Sequence, residues 1–121
     1  SLDYNLNKNF LKILNFKNSR IITKFSLPKK NKLRFLENLQ DSINSNKKEF
    51  KIKIFEAILL HNIKDLKSKY NKKIIEILFN LKKNKHTKKI GVSIYSPSDL
   101  ELVFKHFRPD FIQAPININK L

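Results

Sequence analysis

Two hydrophobic periods alternate along the chain. In its last third, Ile90 to Ile94 is an apolar, strand-like run that meets a turn signal at Ser96-Pro97. Leu100, Val103, Phe104 and Phe107 then recur at helical spacing, and a second short apolar run, Phe111-Ile112, ends in Gln113. This pattern predicts strand, helix, strand. A parallel pair needs a crossover connection and a helix is the usual one, so the unit is the repeating element of an α/β sheet or barrel.

The upstream residues repeat it. Leu6, Phe10, Leu11 and Leu14 lie at helical spacing until Asn15 to Ser19 break the pattern. Arg20 to Phe25 is a short β-branched strand, closed by Pro28 and a Lys/Asn loop. Leu33, Leu36, Leu39 and Ile43 mark a second helix, ending in the polar run Asn44 to Lys48. Phe50, Ile52 and Ile54 alternate with lysines, whereas Phe55 to Leu60 is almost continuously apolar, as a strand buried on both faces should be. Ile63 to Leu81 reads as one long helix with a stripe at Ile74, Ile75, Leu78 and Leu81, and the basic loop Lys82 to Lys89 leads into the last third. The predicted order is a helix, then strand and helix three times, then a final strand. The expected fold class is α/β, with about four parallel strands and intervening helices.

Composition narrows the setting. The 121 residues suit one domain or a piece of one, and 40% hydrophobic residues suffice for a core. The absence of cysteine excludes disulfides and thiolate metal sites, which fits a reducing compartment. No apolar run approaches the length of a membrane span and the N-terminus has no signal-peptide pattern, so the expectation is a cytoplasmic protein with no membrane partner. A net charge of +16 invites a nucleic-acid reading. That reading is disfavoured, because only Arg20, Arg34 and Arg108 are arginine, base readout leans on arginine, and the lysines are spread along the chain. No spacing of His, Asp or Glu suggests a metal site, and Gly91 is the only glycine, so no glycine-rich loop cradles phosphate.

The chemistry is expected at strand ends. In parallel α/β folds the C-terminal ends of strands release the chain into loops around a common mouth. The four candidate strands end with Lys24, His61, Ser93 and Gln113. Singly, each has a bland explanation: a solvated loop lysine, a structural histidine, a turn serine, a glutamine bonded to backbone. Together, an amine, an imidazole, a hydroxyl and an amide at four equivalent positions would line one mouth. Asn62 and Asn117 fall near the same mouth, but in an Asn-rich chain they read as turn or capping residues, and His86 and His106 read as solvated.

At these residues the chain resembles the aldo/keto reductase family. Ile21-Ile-Thr-Lys24 resembles the family's "TK" strand end, and Leu59-Leu-His61-Asn62 its strand ending in a catalytic histidine. Lys89-Ile-Gly-Val-Ser93 resembles its "IGVSN" segment, and Asp110-Phe-Ile-Gln113-Ala-Pro-Ile-Asn117 its "D-x-x-Q-x-P-x-N" segment. The resemblance implies a single domain over residues 1–121 that is part of a TIM (β/α)8 barrel, holding about its third to sixth strands and truncated at both ends. It implies reduction of a small-molecule aldehyde or ketone by hydride transfer from NADP(H), with NAD(H) as the alternative cofactor. Lys24 and His61 would be catalytic, and Ser93 and Gln113 would hold the nicotinamide carboxamide. The family's Asp and proton-donating Tyr would lie upstream of Ser1, leaving the chain alone inactive, and Ile94 stands where many members have an Asn that contacts the carboxamide. Four strands cannot close a barrel, so free edges at the first and last strands are expected. A non-catalytic barrel relative acting as a binding domain, and a basic nucleic-acid-binding module, are the alternative readings.

Overall fold

A computed structural model describes residues 10–15 and 20–115 of the chain. Five strands form one sheet in sequence order: β1 (Phe10–Asn15), β2 (Arg20–Phe25), β3 (Phe55–Leu60), β4 (Thr87–Ser93) and β5 (Phe111–Gln113). β2 to β5 are all parallel, as expected. Between them run α1 (Lys32–Glu37) and α2 (Leu39–Phe50), then a 3-10 helix (Ile63–Lys67) and α3 (Asn71–Lys83), then α4 (Ser98–Phe104). None of the described helices is long and apolar enough to cross a membrane.

The first element differs from its expectation. Phe10–Asn15 is a strand antiparallel to β2, with Asn15 level with Arg20 and Phe10 level with Phe25, where the apolar spacing predicted a helix; Leu6 lies outside the described residues. Only four residues separate Asn15 from Arg20, and a connection that short joins antiparallel strands readily. The edge of β2 expected to be free is therefore paired.

Two predicted helices are broken, each by a small polar residue that satisfies backbone with its side chain. Asn38 separates α1 from α2 and donates its amide Nδ2 to the Arg34 carbonyl at 2.8 Å. Ser68 ends the 3-10 segment, donating to the Asp65 carbonyl at 2.7 Å and accepting from the Tyr70 N–H at 3.2 Å, so Ile63 to Leu81 is not one helix. The other boundaries shift as well. α2 continues through the expected polar stop to Phe50 and ends at Lys51, in the left-handed region at φ 57°, and β3 begins only at Phe55. The expected basic loop shrinks because Lys82 and Lys83 finish α3 and Thr87 already starts β4.

The helices cover one face of the sheet. Phe35, Leu36, Leu39, Ile43, Ile74, Leu78, Leu81 and Val103 pack on Phe25, Ile58, Leu60, Ile90 and Val92 in a single core. Burying one such side chain stabilises the fold by about 1.5–3 kcal/mol. The opposite face carries a smaller apolar cluster, Ile22, Ala57 and Leu59 with Phe111 against it. There Gly91 has a steric role: a β-carbon at this position would stand 2.0 Å from the Phe111 carbonyl oxygen and 2.9 Å from Leu59 Cδ2. Only glycine lets β4, β5 and the β3 side chain approach this closely.

Candidate functional site

Strand register assembles the site. Lys24 is level with Leu59, Leu60 with Val92, and Ser93 with Gln113. Because side chains alternate with period two, Lys24, Leu59, Gly91, Ser93, Phe111 and Gln113 share the face opposite the helices. His61 continues that parity one step beyond β3, and its backbone N–H is held by the Phe25 carbonyl at 2.7 Å. The Ile94 N–H likewise bonds to the Gln113 carbonyl at 2.9 Å, tying the ends of β4 and β5 together.

Three of the four sequence-predicted residues line one cavity of about 300 Å³. Lys24, Ser93 and Gln113 form its walls with Ile94, Tyr95, Ala114 and Pro115. His61 is not a wall residue, yet it is joined to one: the Tyr95 hydroxyl lies 3.2 Å from His61 Nδ1, with the two rings edge to face at a centroid distance of 6.0 Å. Tyr95 was not singled out from the sequence. It lies in a bend beyond the end of β4, where strand alternation no longer assigns a side, so the pattern of the chain carried no signal for it.

The electrostatics follow from burial. Lys24 is only 9% exposed, and desolvation pushes its ammonium below the ordinary lysine value. His61 is held below the usual imidazole value, first by burial and then by the Lys24 charge, against an opposing pull from Asp65. Asp65, in the 3-10 helix, has its carboxyl raised by burial, while a 2.9 Å hydrogen bond from the Leu27 N–H and the charges of Lys32 and His61 work the other way. A neutral imidazole at ordinary pH is the result. Ser93 Oγ is buried without a hydrogen-bond partner, as is Asn46 Oδ1 in α2, outside the cavity lining.

The secondary candidates sort cleanly. Asn62 caps the 3-10 helix, its Oδ1 accepting the Lys64 N–H at 3.1 Å, as the capping reading expects. His86 is partly buried and accepts a 2.7 Å hydrogen bond from Lys47 Nζ at Nδ1, which corrects the solvated role expected for it. Asn117 lies outside the described residues. No cluster of three or more metal-ligating side chains occurs among the described residues. Searches against family models and against curated proteins found no match to this chain.

Proposed function

We propose that this chain belongs to a carbonyl-reducing oxidoreductase of the aldo/keto reductase type, built as part of a (β/α)8 barrel and using NADP(H) or NAD(H). The observation that carries the reading is the meeting of Lys24, Ser93 and Gln113 on one cavity, with His61 linked to it through Tyr95, at the C-terminal ends of four adjacent parallel strands. The topology of β2 to β5 is compatible with it: these strands follow in sequence order with helices packed on one face, whereas a doubly wound sheet reverses its order and carries helices on both. Against it stands β1, which holds antiparallel the β2 edge where a barrel seats a parallel strand.

The residues fit a nicotinamide carboxamide. That group offers a donor and an acceptor, the Gln113 amide presents both, and the unpartnered Ser93 hydroxyl can serve as either. Bound there, the cofactor supplies the hydride. Neutral His61 is suited to donate a hydrogen bond to the carbonyl oxygen as it gains charge, and the Lys24 ammonium stabilises a phenolate or alkoxide formed beside it. The family's Asp and Tyr are not among the motifs matched by this chain.

The test is reduction of a panel of aldehydes and ketones with NADPH by the protein expressed from its full coding sequence. Lys24→Met and His61→Gln should each lower kcat/KM by about 10²- to 10⁴-fold, the range of general acid–base catalysis. No turnover together with no change in NADPH fluorescence on mixing sinks the proposal. A non-catalytic relative is the second reading, favoured by Ile94, which packs into the helix-side core and offers no polar side chain at the cavity.

A further inference from the structure

We infer that Tyr95 is a positioning residue that sets the tautomer of His61, donating its phenol proton to Nδ1 so that Nε2 carries the ring N–H offered to a substrate oxygen. The inference rests on the proposed carbonyl chemistry only for the identity of that oxygen. A neutral imidazole has one N–H and one acceptor nitrogen. A phenol O–H is a good hydrogen-bond donor, and an imidazole nitrogen is a far stronger base than a phenol oxygen. Across the 3.2 Å contact the better donor therefore faces the better acceptor.

The loop is built to hold this contact. Asp99, at the start of α4, accepts the backbone N–H groups of both Tyr95 at 2.8 Å and Ser96 at 3.2 Å on one carboxylate oxygen. That clamp fixes where Tyr95 leaves β4. The edge-to-face packing of the two rings limits how the imidazole can turn. The charged groups acting on His61 from the neighbouring elements are Lys24 on β2, which opposes ring protonation, and Asp65 on the 3-10 helix, which favours it.

Nitrogen NMR of the labelled full chain decides the matter, at a pH above the ordinary histidine value of about 6.5. The three histidines are assigned with His86→Gln and His106→Gln. The native chain should show His61 as a single Nε2–H tautomer, with Nδ1 shifted as a hydrogen-bond acceptor. Tyr95→Phe keeps the ring and removes only the hydroxyl, and should give a tautomer mixture. Asp99→Ala, which frees the loop, should give an intermediate spectrum. An Nδ1–H tautomer in the native chain, or identical spectra before and after Tyr95→Phe, overturns the inference. In the full-length enzyme Tyr95→Phe should lower kcat roughly 2- to 12-fold with KM little changed, the effect of one hydrogen bond. A tautomer switch without any carbonyl turnover would retain the role of Tyr95 and remove the reductase reading.

Discussion

The two ends of the parallel strands use the same kinds of residue to opposite effect. At the N-terminal ends, Arg20, Lys88 and Lys89 surround the Glu56 carboxylate at 4.0, 3.6 and 3.6 Å, and all three cations are about half exposed. At the C-terminal ends, Lys24 is buried, and no carboxylate is among the described residues lining its cavity. Charge at the first end is paired, with half-exposed cations around a carboxylate that is itself only 12% exposed. At the second it is desolvated, and the neighbouring histidine feels it. The presence or absence of an opposite charge, more than residue type, separates an ion cluster from a site that can do chemistry.

The middle of the sheet connects the two ends, and breaking it should have the largest effect. Gly91→Ala forces a β-carbon into the Phe111 carbonyl, which prises β5 from β4 and carries Gln113 away from Ser93. Urea denaturation should show a loss at the upper end of about 1–3 kcal/mol, the usual cost of overpacking. An unchanged midpoint would mean that β5 is not paired as described.

Replacing the buried charge sharpens the contrast next. Lys24→Met removes an ammonium that burial disfavours and leaves an apolar stem of similar length, so the variant should be more stable than the native chain at neutral pH. The pH dependence has a defined sign. The folded pKa of Lys24 lies below its unfolded value near 10.5, so between the two the unfolded chain holds more protons and native stability rises with pH. That rise should be absent in Lys24→Met.

A smaller effect is expected from the histidines, whose folded values are both lowered. As pH falls below about 6.5 the unfolded chain gains protons that folded His61 and His86 resist, so stability falls. His61→Gln should flatten part of that slope, and His61→Gln with His86→Gln should flatten more. The smallest change is expected at the other end of the sheet. Glu56→Gln should cost about 1 kcal/mol, an amount that shrinks with added salt, because its three cationic partners are half exposed even though the carboxylate is only 12% exposed. A larger, salt-independent loss there would erase the distinction between the two ends.

Much of this molecule was legible in the order of its residues. The continuous apolar run Phe55 to Leu60 marks a central strand because both its faces are covered, and the structure bears this out with four fully buried residues from Ala57 to Leu60. Phe10–Asn15 was misread because Phe10, Leu11 and Leu14, at helical spacing, also suit a strand once a neighbour offers its edge. Asn38 and Ser68 broke helices that hydrophobic spacing alone would have continued, since spacing does not register a side chain that competes for backbone carbonyls.

The sequence by itself determined that Lys24, His61, Ser93 and Gln113 would stand at strand ends, because alternation of strand and helix and the residue after each apolar run are local properties. Only the tertiary structure decided what those positions share. Register levelled Ser93 with Gln113 and placed Lys24 on the same face, and the Asp99 clamp brought Tyr95 to His61 across 34 residues of chain. Desolvation and hydrogen bonding depend on what lies within a few ångströms in space, and distance along the chain carries no record of it.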